Sequence, residues 1–175
     1  MTDETPAAQE HRIEPFRSEL IAAQNLPMGI AAGAVAALVS AALWAVVTIT
    51  TGYTFGLFAL GVGILVGLSV RAAGKGVTAP FGVAGAVLAL AGSLLGDYGA
   101  AAHLRANFLG VSYLDYVSNL SAAEIGKLVS AWFSPLDLLF YAIATYEGYQ
   151  LSFRQVGSMD VARAVDGAGP EPRED

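Results

Sequence analysis

Residues 28–50, MGIAAGAVAALVSAALWAVVTIT, contain no charged side chain. At about 1.5 Å of rise per residue, a helix of that length covers the roughly 30 Å of a bilayer's hydrocarbon core. The uncharged run around it is longer still, from Leu20 to Val70, and a second extends from Gly76 to Gly96. A soluble core helix does not stay unbroken over such distances. The chain therefore reads as an all-α integral membrane protein.

Outward from this first span, the link TGYT (51–54) is so short that the next span, 55–72, must return beside it as a hairpin. Its end is extended by Arg71, which can snorkel to the headgroups. RAAGKG (71–76) is a basic turn, and Pro80 falls in the first turn of a third span, 79–97, where its missing donor does no harm. That span is expected to end at Asp97-Tyr98, after which the chain runs over the membrane surface. Ser121 and Glu124 form a capping-box pattern, and Ile125, Leu128, Val129, Trp132 and Phe133 then share one helical face. An interfacial helix over 121–133 is expected there. Ser134 and Pro135 open a fourth span, 135–153, interrupted by Glu147. Residues 12–154 thus read as one four-helix membrane domain. It lies between a disordered acidic tail at 1–11 and a disordered C-terminal tail at 155–175, and a short interfacial helix begins near Ile13.

The composition agrees. Of 175 residues, 55% are apolar and 14% charged, with a mean hydropathy of +0.55. The net charge of -6 makes nucleic acid an unfavourable partner. The absence of cysteine removes disulfides, thiolate metal sites and thiol nucleophiles. In a four-span arrangement Arg12, Arg17, Arg71, Lys75, Arg154 and Arg163 lie on one side, and Arg105 and Lys127 on the other. The positive-inside rule then places both termini in the cytoplasm.

Glycine carries most of the remaining information. Gly29 and Gly33, Gly52 and Gly56, Gly63 and Gly67, and Gly92 and Gly96 are each four apart, and Gly61 lies beside the second span's pair. In lipid such small-residue stripes let helix backbones approach, so Gly29, Gly33, Gly56, Gly63, Gly67, Gly92 and Gly96 are the expected helix-packing positions. Glu147 is the only charge well inside a span; it reads as an interhelical ion-pair partner of Arg71 or Lys75, or as a proton or cation relay group. Asp97 and Asp137 are expected at the outer boundary, capping helices and joining a wet network with His103, Arg105 and Lys127, or marking a transport mouth. His11 and His103 fall on opposite sides. No HExxH, GxSxG or Walker-type loop occurs, and nucleophile, base and oxyanion donors do not assemble, so no catalytic residue, metal or cofactor is assigned.

The stretch 51–71, TGYTFGLFALGVGILVGLSVR, resembles a module of many uncharacterised bacterial polytopic membrane proteins. In these a Thr-Gly-Tyr turn leads into a helix of the form Ala-x-Gly-x-Gly-x-x-x-Gly, matched here by Thr51, Gly52, Tyr53, Gly56, Ala59, Gly61, Gly63 and Gly67. Residues 133–152 resemble their closing helix. Thr54 stands where that family commonly has an acidic residue, and Glu147 where it has a small or neutral one. The resemblance implies a four-helix module of the bacterial inner membrane and brings no assigned activity.

Two functions are expected from this pattern. One is a non-enzymatic assembly or accessory module that joins itself or another membrane protein through its glycine-lined faces. The other is a small transporter or channel subunit using Glu147 on the inner side and Asp97 or Asp137 on the outer.

Overall fold

A computed structural model describes residues 6–53, 56–132 and 134–156, all helix and connecting turns, with no strand among them. The helices are α1 (Pro6–Ala22), α2 (Leu26–Thr51), α3 (Leu57–Gly74), α4 (Ala79–Leu109), α5 (Tyr113–Ser118), α6 (Ala122–Trp132) and α7 (Pro135–Leu151). Three of them, α2, α3 and α4, are long and apolar enough to cross a membrane.

Local chemistry sets most helix ends. The Asn25 side chain accepts the Met28 N–H at 3.0 Å to start α2, and Gly52, at φ +72°, ends it in the left-handed conformation that glycine adopts without strain. Pro80 sits in the first turn of α4, and Gly110, at φ +71°, closes it. At α7 the Ser134 hydroxyl accepts the Leu136 N–H at 3.3 Å, while the Asp137 carboxylate accepts the Ser134 N–H at 2.7 Å.

Helices α2, α3, α4 and α7 form a bundle in which α3 and α4 touch each other and both of the other two. Neighbour pairs give the directions. Gly29 faces Gly74 and Gly33 faces Val70, so α2 and α3 are antiparallel; Ala37 meets Gly92 and Trp44 meets Gly96, so α2 and α4 run together. Gly56 faces Phe140, Gly63 faces Ala144 and Gly67 faces Leu151, which sets α7 parallel to α3.

The interior is small and dry. Ala37, Ala59, Ala89 and Ala144 alternate with Val62, Val66, Val70, Trp44, Phe81 and Tyr141. The outside is apolar too: Val35, Leu38, Leu43, Val46, Leu57, Val87, Leu95 and Leu138 are each more than half exposed. In water that surface would be a severe liability, whereas in a bilayer it is the face presented to lipid. This is a membrane-embedded chain.

One end of the bundle is tied together by the turn after α3. Gly74 O accepts the Asn25 N–H at 2.9 Å, and Gly76 O accepts the Arg154 N–H at 2.7 Å. The Gln24 side-chain oxygen accepts from the Val77 N–H at 3.3 Å and the Thr78 hydroxyl at 2.7 Å. The entry to α2, the α3–α4 turn and the exit from α7 therefore share one level.

Two sequence expectations need correction. The third span does not give way to surface chain at Asp97-Tyr98: α4 continues to Leu109, because Ala100, Ala101, Ala102 and Ala106 are strong helix formers and nothing before Gly110 stops them. At 31 residues, or about 46 Å, α4 is longer than the roughly 30 Å of hydrocarbon needs. The expected disordered tail at 1–11 also overlaps a helix. Pro6–Ala22 is helical, starting at a proline whose missing N–H is free of cost in a first turn, and α1 packs on no other helix among the described residues. The expectations for residues 1–5, Thr54, Phe133 and 157–175 lie outside the described residues.

Candidate functional site

The bundle's one buried side-chain-to-side-chain bond among the described residues lies away from the tied end. Asp97 sits in the middle of α4, where its carboxylate finds no unsatisfied N–H of its own helix to cap. It turns to α7 instead: the Tyr141 hydroxyl donates to Asp97 Oδ2 at 2.5 Å. Both residues are buried, at 3% and 6% exposure, so the pair is a dry clasp between α4 and α7. Asp137, one turn before Tyr141, and Tyr98, next to Asp97, lie within electrostatic reach of it.

Trp44 packs over Gly96 beside this pair, its ring centroid 6.2 Å from that of Phe58. Trp44 Nε1, Thr48 Oγ1 and Ser40 Oγ form a buried stripe on α2 with no hydrogen-bond partner among the described residues. The indole, the two hydroxyls and the Asp97–Tyr141 pair give the core a polar lining around that level. Ser93 and Ser152, buried further along, donate back to Ala89 O at 2.9 Å and Gly148 O at 2.6 Å, so each is satisfied within its own helix.

The structure brings the predicted acidic residues only partly together. Asp97 and Asp137 approach the same tyrosine, and Asp97, expected at a wet outer boundary, is buried and accepts a hydrogen bond from Tyr141. Glu147 is half-buried about 9 Å along α7 from Tyr141. It forms no ion pair with Arg71 or Lys75 among the described residues. Between Glu147 and Tyr141, Ala144 is pressed against Gly63. Among the described residues no three His, Asp or Glu side chains converge as a metal-ligand set.

All seven predicted packing glycines lie against other helices of the same chain. A Cβ on Gly63 would fall 2.5 Å from Ala144 O and 2.9 Å from its Cα; one on Gly29 would lie 3.2 Å from Gly74 Cα; one on Gly92 would lie 3.2 Å from Ala37 Cα. Gly33 meets Val70 and Leu88, Gly56 the Phe140 ring, Gly67 the Leu151 side chain and Gly96 Trp44. The faces expected to join a second chain are thus occupied within this one. Gly52 is a helix cap, and Gly61 points into open space.

Sequence reasoning missed the tightest crossing. A Cβ on Gly148 would lie 2.6 Å from Ala89 Cβ and 2.7 Å from Gly85 O, so α4 and α7 touch backbone to backbone. The signal was present in Gly85, Ala89 and Ser93, a small residue at nearly every turn of α4. Nothing in the sequence around Tyr141 signals its bond to Asp97, which joins residues 44 apart.

The fold and site define an all-helical, membrane-embedded protein. Comparison with protein-family models, with curated proteins and with solved structures finds no match.

Proposed function

We propose that this protein is a non-enzymatic assembly or accessory module of a bacterial inner membrane, crossing it four times with both termini in the cytoplasm. Support for α7 as the fourth crossing comes from its packing parallel to α3 from Phe140 to Leu151 and from the Arg154–Gly76 bond. Arg17, Arg71, Lys75 and Arg154 collect toward that tied end, in keeping with a cytoplasmic face.

The observation that carries the reading is a groove of about 640 Å³ on the lipid-facing side of α2 and α3, where small residues such as Ala32, Ala36, Ser69 and Ala73 form the floor of a lining that also holds larger Met28, Val35, Val39 and Leu65. Small side chains there let a transmembrane helix of a second chain approach closely, the role first expected of the glycines. The test is purification in gentle detergent at native expression, with mass spectrometry of what co-elutes. A stoichiometric membrane partner, or a homo-oligomer, lost on Ala32→Leu with Ala73→Leu supports the module. A lone monomer in both forms removes it.

A second reading, a small transporter or channel subunit, is favoured by the gathering of Asp97, Asp137 and Tyr141 at one end with Glu147 toward the other. It requires Glu147→Gln to abolish flux in proteoliposomes while leaving the elution profile unchanged. Unaltered flux takes Glu147 out of the mechanism.

A further inference from the structure

Where α4 leaves the membrane it meets α6 across a cleft of about 570 Å³. Two helical faces line it. Ala101, Leu104, Arg105 and Phe108 recur along α4 at the spacing of a single face, as do Glu124, Lys127, Leu128 and Ala131 along α6, with Tyr116 of α5 at the side. The α4 face descends from exposed Phe108 to buried Ala101, one turn beyond Asp97, so the cleft runs toward the hydrocarbon.

Its charges are unequal. Arg105 and Lys127 are the only lysine or arginine residues between Lys75 and Arg154, and both line this cleft. Neither is in an ion pair among the described residues; Arg105 lies over the Phe108 ring, 5.4 Å from its centroid. Glu124, the acidic lining residue, is held by Ser121, whose N–H and hydroxyl donate to Glu124 Oε2 at 3.0 and 2.8 Å. If about 30 Å of hydrocarbon starts near Ala79, the Arg105 backbone stands roughly 9 Å past its far edge, from where its long side chain reaches back to the headgroup layer.

We infer that this cleft binds the headgroup of an anionic phospholipid, with Arg105 and Lys127 on the phosphate and Ala101 and Leu104, which lie toward the hydrocarbon, against the start of the acyl chain. The inference goes beyond the proposed partner groove, which lies at α2 and α3. A guanidinium and an ammonium lining one cleft with an apolar wall match a charged head joined to an apolar chain, whereas a free phosphate would leave the wall unused.

Native mass spectrometry of the full chain titrated with phosphatidylglycerol, phosphatidylcholine or inorganic phosphate tests it. Phosphatidylglycerol should bind with one saturable, tight adduct, and Arg105→Gln with Lys127→Gln should weaken it at least about tenfold, as expected for losing two charge-assisted bonds. The exchange Arg105→Lys with Lys127→Arg should retain binding, and Arg71→Gln with Lys75→Gln should leave this adduct in place. Arg105, Lys127 and Lys75 are exposed and Arg71 is half-buried, and helix content with the elution profile confirms that each variant is folded. Equal binding of phosphatidylcholine, displacement by millimolar phosphate, or an unchanged adduct in the double glutamine variant would each overturn the assignment.

Discussion

The contrast between Gly63 and Gly61 shows how much two positions on one helix can differ. A methyl group at Gly63 meets the Ala144 backbone, which cannot yield as a flexible side-chain tip could, whereas one at Gly61 meets nothing within 4 Å. Gly63→Ala should destabilise the bundle by about 1–3 kcal/mol in a denaturant titration of the detergent-solubilised protein. Gly61→Ala should be neutral or stabilising by up to about 1 kcal/mol. Equal behaviour of the two would contradict the α3–α7 crossing. The Asp97–Tyr141 clasp yields a second prediction: Tyr141→Phe should cost about 1–3 kcal/mol, and a cycle with Asp97→Asn should give a coupling of about 0.5–3 kcal/mol. Additive losses would mean that the bond contributes nothing to stability.

Among the elements, α6 is held mainly by its own cap, because most of its surface is exposed. The Ser121 N–H, and then its hydroxyl, stabilise the Glu124 carboxylate and lower its pKa, with Lys127 adding to the effect. A lowered folded-state pKa means that the cap's contribution is complete above the ordinary glutamate range and is lost as pH falls through the lowered value. Amide exchange across 122–132 should therefore accelerate, relative to the intrinsic rate, only on acidification below the usual glutamate range. Glu124→Gln should abolish that pH dependence. Protection that stays flat with pH in the parent protein would show that tertiary contacts, not the cap, hold α6.

At the scale of the whole molecule, four crossings imply that Ala23 and Gln155 face one compartment and Ser118 the other. The chain has no cysteine, so single replacements at these three positions report their side directly. Ala23→Cys and Gln155→Cys should react with an impermeant maleimide only after the cytoplasmic side is opened, and Ser118→Cys should react from outside in intact cells. Labelling of Gln155→Cys from the same side as Ser118→Cys would mean that α7 enters and leaves by one face.

The sequence by itself determined the solvent and the class of fold. Long uncharged runs admit only helices in a bilayer, since backbone groups there must be satisfied internally. It also determined several ends, because caps such as Asn25, Ser121 with Glu124, and Ser134 with Asp137 act within a few residues of chain. The extent of α4 was partly legible in Ala100–Ala102 and Ala106, but the acidic Asp97 looked like a boundary to any local reading. Only the tertiary structure decided that Asp97 is buried against Tyr141, that Gly63 faces inward while Gly61 faces outward, and that Gly85 meets Gly148. Spacing along a helix tells which residues share a face, but which face meets a neighbour depends on crossings between segments far apart in the chain. In a molecule apolar on every side, hydropathy cannot distinguish a face turned to lipid from one turned to another helix.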